Sequence, residues 1–469
     1  MRHLLIMGGG SAAFAAAIRA AELDARVTMV ERATMGGTCV NVGCVPSKTL
    51  IKAADIHHLR RHHSFEGVPS SNGRIDLARL VAQKDELVER LRRTRYKDVL
   101  AAYPSIEYVA GDARLTGPRT AVVDRVAGGR LDIEVDRIVI ATGSRPWAPP
   151  IEGLEDIPYW TNVEALATSE VPERLVVIGG SAVGTELAQM YARLGSRVTI
   201  LEALSTLVPN EDSDLGRALA GCLAEEGIEV VTSAAVRKVQ RRGESFRVVA
   251  EADGTEQIFE GSRLLVATGR RANVEALDLE SAGVETDRKG FIVVDERLET
   301  SREGIFAAGD CTPLPQFVYV AAKAGTIAAE NAIGGEEIRL DLSAMPAVTF
   351  TDPQVASVGL TEDEACRGEE DVAVRSLGME HVPRALVNRD TRGLVKIVAR
   401  EADGRILGVH VLAPAAGEVI QSAVLAVKLG LTVGDLADTL FPYLTEVEGL
   451  KLAAQTFQRE ITHLSCCAG

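Results

Sequence analysis

Short apolar runs alternate with longer, helix-spaced stretches along this chain. Residues 3–7 (His-Leu-Leu-Ile-Met) have the length and polarity of a strand, Gly8-Gly9-Gly10 predicts a turn, and the Ala-rich stretch 11–23 predicts a helix. A second strand, residues 26–30, then runs into Glu31. The same order returns later: a strand over 174–178, a turn at Gly179-x-Ser181-x-x-Gly184, and a strand over 197–201 that runs into Glu202. Three further strand ends are predicted at Ile138-Val-Ile-Ala-Thr-Gly143, Leu264-Leu-Val-Ala-Thr-Gly269 and Ile305-Phe-Ala-Ala-Gly-Asp310. The opening stretch loosely resembles a secretory signal, but cleavage there would destroy the strand–turn–helix unit.

Composition narrows the classes. At 469 residues the chain is too long for one core, so three or four domains are expected. A hydrophobic share of 46% and a charged share of 25% describe an ordinary soluble globular protein. The net charge of −15 argues against nucleic acid and anionic membranes as partners. No charge-free apolar run of about 18 residues occurs, so no membrane span is expected. Seven cysteines in such a chain are no disulfide scaffold, which points to a reducing cytoplasm.

The turns carry the first chemistry. Gly8-x-Gly10-x-x-Ala13 follows a strand, opens a helix and meets an acid, Glu31, 23 residues on. That context suits a dinucleotide: backbone N–H groups and a helix N-terminus face a pyrophosphate, and the acid takes a ribose hydroxyl. The second copy, Gly179 to Gly184 with Glu202, keeps the 23-residue spacing but places Ser181 where a second glycine is usual. Asp310, at a strand end, suits a ribityl hydroxyl. Two such units imply two dinucleotides.

Two cysteine pairs carry the second. Cys39 and Cys44 lie in Gly-Gly-Thr-Cys-Val-Asn-Val-Gly-Cys-Val-Pro-Ser-Lys, where their spacing at the opening of a predicted helix suits a reversible disulfide. A redox pair between two dinucleotide units implies that one nucleotide is a flavin. Cys466 and Cys467 are adjacent, and neighbouring Cα atoms about 3.8 Å apart suit a disulfide poorly, since unstrained ones want roughly 4.4–6.8 Å. An adjacent pair better holds a soft metal ion. Together the pairs point to reduction of a thiol-bound metal. Cys222, Cys311 and Cys366 read as inert thiols, and His57, His58, His62 and His63, interleaved with arginines, read as a solvated helix face.

With these motifs in family order, the chain resembles the pyridine nucleotide-disulfide oxidoreductases over essentially its whole length. The resemblance implies an α/β protein with two Rossmann-like domains, binding FAD and NAD(P)H, and an α+β C-terminal dimerisation domain. The expected boundaries are 1–147 for the first part of the FAD domain, 148–271 for the NAD(P)H domain, 272–341 for a central domain completing the FAD site, and 342–469 for dimerisation. By the same resemblance Gly37, Thr38, Gly143 and Gly269 join the cofactor sites, Cys44 is the charge-transfer thiolate, Cys39 the interchange thiol, and Lys48 and Glu186 the pair beside the flavin ring.

Dithiol-handling members of that family carry a His–Glu dyad near the C-terminus. Here the Glu has a match in Glu448, but Tyr443 stands at the His position. A phenol with an ordinary pKa near 10 is a poor proton shuttle at neutral pH. Thr351-Asp-Pro-Gln354, Val382-Pro-Arg-Ala385, Phe441-Pro-Tyr-Leu-Thr445 and the Cys-Cys end resemble the mercuric reductase branch. That resemblance implies Hg(II) as a thiol complex for substrate and Tyr159 and Tyr443 flanking the metal. It also implies Cys466 and Cys467 of one subunit delivering metal to Cys39 and Cys44 of the other, in a homodimer with shared active sites. Many members of that branch begin with a small metal-carrying domain bearing a Met-Thr-Cys-x-x-Cys motif; this chain is expected to start directly at the flavin fold, with the source of incoming metal open. Two enzyme readings and one binding reading stay open at this point: mercury reduction, disulfide reduction, and metal sequestration without turnover. NADPH or NADH also stays open, because Glu202 suits a ribose with two free hydroxyls while this branch commonly uses NADPH.

Overall fold

The computed structural model describes residues 1–71, 73–368 and 371–461. The chain divides into two compact units, with breaks at 49/50, 77/78, 147/148, 268/269 and 341/342. The first unit combines residues 1–49, 78–147 and 269–341.

Its centre is a seven-stranded sheet in the order Ile305–Ala307, Arg137–Ile140, His3–Met7, Arg26–Glu31, Ile106–Gly117, Thr120–Arg125, Arg130–Glu134. The first five strands pair in parallel and the last two add antiparallel. Parallel strands covered on both faces must be apolar throughout, which explains the unbroken run at the N-terminus. Leu4 and Ile6 enter one core, Leu5 and Met7 the other. The helix Ser11–Glu22 packs against Val318–Ala329 through alanines, and a Cβ on Gly325 would lie 2.1 Å from the Ala12 carbonyl oxygen. Small residues there set the separation of the two helices.

The second unit combines 50–77, 148–268 and the described part of 342–469. A parallel sheet runs Glu229–Val231, Arg197–Leu201, Arg174–Ile178, Arg263–Val266. It shares a core with the antiparallel strands Ala235–Arg242, Ser245–Ala252 and Thr255–Gly261. A five-stranded antiparallel sheet follows, in the order Pro346–Thr349, Gln354–Gly359, Ile406–Ala413, Leu394–Arg400, Val372–Gly378. Helices Ala416–Leu429 and Glu448–Gln455 pack on it.

Two buried ion clusters tie this unit together. Arg193, its side chain 1% exposed, bonds Asp55, Glu226 and Asp352 at 2.5–2.8 Å. Lys396, 2% exposed, bonds Asp212 at 2.8 Å and Asp214 and Glu362 at 2.6 Å each. The histidine run departs from expectation beside the first cluster. The helix Cys44–Leu59 ends before His62, His57 is buried, and His58 stacks on His62 with ring centroids 4.7 Å apart. Burial and then the Arg193 charge push the half-buried His58 down to about 4, while His62 stays exposed, so the run is divided between the interior and the surface.

Candidate active site

In the first unit, Gly8 has φ +129° and its Cβ would lie 2.2 Å from the Ala141 carbonyl oxygen, so only glycine closes the strand-to-helix turn. Gly10 caps the helix in an extended conformation that any residue can adopt (φ −92°). Its smallness answers a different demand: a Cβ on Gly37 would come within 2.7 Å of the Gly10 Cα. Gly36 N–H donates to the Gly9 carbonyl at 2.8 Å, so two glycine backbones face each other at the open N-terminus of a helix. Ala13 is wholly buried behind them. Glu31 accepts from the Ala33 N–H at 2.7 Å and lines a cleft of about 260 Å³ with Gly8, Thr142, Arg145 and Asn273.

The strand ends complete this side. Gly143 and Gly269 follow their strands, and Asp310 accepts from Ser144 Oγ at 2.9 Å. Arg270 donates to Ser144 Oγ at 2.7 Å and to the Ser144 carbonyl at 2.8 Å, with its guanidinium 3.9 Å from Asp310. Ser144 and Arg270 were invisible as functional residues in the sequence. Their one signal was position, each directly after an Ala-Thr-Gly strand end.

The cysteine run folds as two helices and not as the opening of one. Gly37–Asn41 carries Cys39, the chain breaks at 42–43, and Cys44 starts Cys44–Leu59. Asn41 holds the break in place, donating to the carbonyls of Gly37 (2.8 Å) and Met35 (3.1 Å) and accepting from Arg92 at 2.9 and 3.1 Å. Neither cysteine is in a disulfide; Cys39 is half-buried and Cys44 exposed. The hydrogen bond to Cys44 foremost, then burial and the Cys44 charge, raise the Cys39 thiol well above its ordinary value, while Lys48 opposes them. The Cys39 proton is therefore held toward the Cys44 sulfur. Cys44 sits at the N-terminus of a long helix, which favours a thiolate, and Lys48 lies one turn on at i+4. Thr38 precedes Cys39 on the short helix. The structure thus brings Cys39, Cys44 and Lys48 together.

The second unit holds the other glycine fingerprint turn. Gly179 repeats Gly8, with φ +106° and a Cβ that would lie 2.4 Å from the Ala267 carbonyl oxygen. Gly184 packs the helix on the strand, its Cβ position 1.9 Å from the Gly179 oxygen. Ser181 caps Ala182–Leu194 with the same extended backbone as Gly10 (φ −84°), so serine fits there. Glu202 does not turn to solvent. It is buried, one oxygen accepting from the Gly180 N–H at 2.6 Å and the other from the Leu204 N–H at 2.8 Å.

Also in this unit, Glu186 is buried on Ala182–Leu194 and accepts from the Phe350 N–H at 2.8 Å. Tyr159 is half-buried against the nucleotide-domain core, and Tyr443 is 54% exposed. Of the remaining thiols, Cys222 and Cys311 are buried and Cys366 is exposed. Cys466 and Cys467 lie outside the described residues. Among the described residues, no group of three or more His, Cys, Asp or Glu is arranged to hold a metal ion, and no helix is long and apolar enough to cross a membrane.

Comparison with known proteins agrees with this arrangement. Residues 2–325 match the pyridine nucleotide-disulphide oxidoreductase family, and residues 345–454 match the dimerisation domain of the same family. The chain is 50% identical over 468 residues to a mercuric reductase of Acidithiobacillus ferrooxidans, covering 100% of this chain and 84% of that protein. It is 47% identical over 467 residues to a mercuric reductase of Streptomyces lividans, covering 99% and 98%. Among solved structures, the HOCl-induced flavoprotein disulfide reductase RclA from Escherichia coli superposes with a TM-score of 0.85 at 30% identity, covering 97% of this chain and 99% of that one. LpdA from Mycobacterium tuberculosis does so with a TM-score of 0.86 at 29% identity, covering 98% and 100%. The family implies FAD and a nicotinamide cofactor, and the glycine cradle at Gly8, Gly10 and Gly37, with Glu31 and Asp310 on its flanks, has the spareness and polarity to take the first of these. The chain belongs to the pyridine nucleotide-disulphide oxidoreductase family of enzymes, and within it to the mercuric reductases.

Proposed function

We propose that this protein reduces thiol-bound Hg(II) to Hg(0) with NADH or NADPH as the electron source. The observation that carries the reading is the likeness to mercuric reductases at half identity along the full chain, with Cys39 and Cys44 paired at a helix N-terminus. The overall balance is two electrons and a proton: NAD(P)H and Hg(II) give NAD(P)⁺, H⁺ and Hg(0). Bound FAD would supply the two-electron relay between nicotinamide and site, held by Gly8, Gly10, Ala13, Glu31, Gly37, Thr38, Gly143 and Asp310.

The chain's own residues then have distinct tasks. Cys39 and Cys44 ligate the metal as two soft donors, and binding releases the Cys39 proton, because the metal takes thiolates. Both sulfurs end the reaction as they began it, since the electrons go to the metal. By the family resemblance, Lys48 and Glu186 would each serve the flavin ring. Tyr159 and Tyr443 flank the metal, Cys466 and Cys467 of the partner subunit deliver it, and the active site is shared across a cytoplasmic homodimer. The four-part division at 147, 271 and 341 belongs to the same reading.

Gly179, Gly184 and Gly269 would take the nicotinamide nucleotide, with Glu202 at its ribose. A carboxylate clamped by two backbone N–H groups cannot swing away from a 2′-phosphate, which favours NADH at least as much as NADPH. Disulfide reduction is the weaker reading. An exposed tyrosine at 443 lacks the acid–base function that is worth about 10²–10⁴-fold in rate. The deciding experiment is a single turnover with Hg(II) bis(cysteine) and detection of volatile elemental mercury. Binding without release of Hg(0) would sink the proposal in favour of sequestration.

A further inference from the structure

The break between the two cysteine helices is held from outside. Gly36 and Gly37 lead into Gly37–Asn41 with φ of +101° and +63°, and neither has a side chain to pack, so the turn has little stiffness of its own. The Asn41 amide supplies it. Its Nδ2 donates to the carbonyls of Gly37 at 2.8 Å, Met35 at 3.1 Å and Thr34 at 3.4 Å, which ties the end of the short helix to the chain that enters it.

An amide has two ends, and only one of them donates. Turned about, Asn41 would present its oxygen to those carbonyls and lose all three bonds. Arg92 decides the direction. A guanidinium only donates, and its Nε at 3.1 Å and Nη2 at 2.9 Å both bond the Asn41 Oδ1. Its Nη1 bonds Glu89, one turn back on Leu77–Arg92, at 2.5 Å, so the fork is held at both ends. The residues after Arg92 brace the same turn. Arg93–Lys97 makes a single wide turn of π type, a geometry frequent at functional sites, and a Cβ on Gly36 would lie 3.6 Å from the Tyr96 ring that it carries. That ring stands edge-on to Phe14, on the helix after the first glycine turn, with centroids 4.7 Å apart.

We infer that Arg92 is a positioning residue for the Cys39–Cys44 pair: by orienting the Asn41 amide it holds fixed the break across which the two thiols meet. The inference rests on the reading that these thiols take the metal. Two soft donors grip one ion, or close one disulfide, only as well as their spacing is kept, and a clamp that outlasts the change of state spares the entropy of finding that spacing again. Arg92 acts through Asn41, which lies two residues from Cys39 and three from Cys44.

The test poises the FAD-loaded full chain in mixtures of reduced and oxidised dithiothreitol at one pH. Dithiothreitol gives up two electrons and two protons and closes to its cyclic disulfide, while the Cys39–Cys44 disulfide takes them up and opens to two thiols. The long-wavelength thiolate–flavin absorbance reads the dithiol fraction, and Hg(0) release from Hg(II) bis(cysteine) is measured on the same preparations. R92M and N41A should each shift the equilibrium toward the dithiol on the order of tenfold, or about 30 mV for a two-electron couple, as loss of hydrogen bonds from a charged group implies. N41A reads the same clamp from its other end should R92M fail to fold. R92K keeps the charge without the fork and should shift as well. The R92M/N41A double variant should shift no further than either alone, since both open one clamp. Hg(0) release should slow in all of them. No shift in R92M and N41A, an R92K equilibrium equal to wild type, additive shifts in the double variant, or undiminished Hg(0) release from R92M would overturn the inference. Absence of Hg(0) from every form, wild type included, would instead overturn the mercury reading, and the dithiothreitol equilibrium would still decide whether Arg92 positions the thiols.

Discussion

Lys396→Met should destabilise the second unit strongly at neutral pH and much less in acid. In the native protein Lys396 sits among Asp212, Asp214 and Glu362 at 2.6–2.8 Å. Asp214 and Glu362 are 38% and 43% exposed, so solvent screens most of what they would lose. Asp212 is 3% exposed and also caps the helix Ser213–Glu225, so its charge is the one left stranded. Breaking a buried pair by removing one partner costs about 3–5 kcal/mol, and the screened neighbours place this case near 3. At roughly 2 °C per kcal/mol for a unit of this size, the thermal midpoint should fall by about 6 °C. The pH dependence has a definite sign. Burial pushes Asp212 up, but the hydrogen bonds from Lys396 and two backbone N–H groups hold it below its ordinary value. The Lys396 bond foremost lowers Asp214. Their contribution is therefore present above the unfolded value near 3.9 and lost as pH falls through the depressed folded value. Burial works against the Lys396 ammonium, yet its three carboxylates raise it, so its contribution is present below about 10.4 and is lost only as pH rises through the folded value. The wild type should thus change little through this cluster between about pH 5 and 10. In the variant burial dominates at Asp212, and protonation below about pH 5 removes the stranded charge. Near-ultraviolet circular dichroism of the FAD-loaded protein, at one protein and one FAD concentration, gives the midpoints. A gap under about 1 °C at pH 7.5, or one that stays constant down to pH 4.5, would refute the reasoning.

Other substitutions test the site itself. Cys44→Ser should abolish the long-wavelength thiolate–flavin absorbance of the two-electron-reduced protein, whereas Cys39→Ser should retain it; the reverse pattern would exchange their roles. Glu202→Ala should improve kcat/KM for NADPH relative to NADH at one low salt concentration, and an unchanged ratio would show that Glu202 does not read the ribose. Replacing both Cys466 and Cys467 with Ala should impair turnover of Hg(II) held by bulky thiols more than by small ligands, with the thiolate–flavin absorbance intact. Lipoamide and oxidised glutathione should support little NAD(P)H oxidation by the native protein, and brisk turnover of either would mean that Tyr443 does not prevent disulfide chemistry.

Much of the architecture was legible because its signals are local. Strands at 174–178 and 197–201 announce themselves as apolar runs, and the structure places strands at Arg174–Ile178 and Arg197–Leu201. Each fingerprint turn is a short-range steric necessity: Gly8 and Gly179 need positive φ and no Cβ wherever the rest of the chain goes. The positions of Glu31 and Glu202 follow from the strands they end. Long-range partners were another matter. Nothing within a few residues of Asn41 says that Arg92 will hold it, or that the cysteine run will break into two helices there. Ser144 and Arg270 lie 126 residues apart and become partners to each other only once their strands close. His57 carried a surface composition, and the fold buried it all the same. Whether Glu202 faced solvent depended on two backbone N–H groups whose direction is set by the turn and not by residue type. The sequence by itself determined the two strand–turn–helix units and the identity of the thiols. Only the tertiary structure decided which carboxylates, histidines and backbone donors those units would bury together, because burial and hydrogen bonding are properties of neighbours that the chain brings from far away.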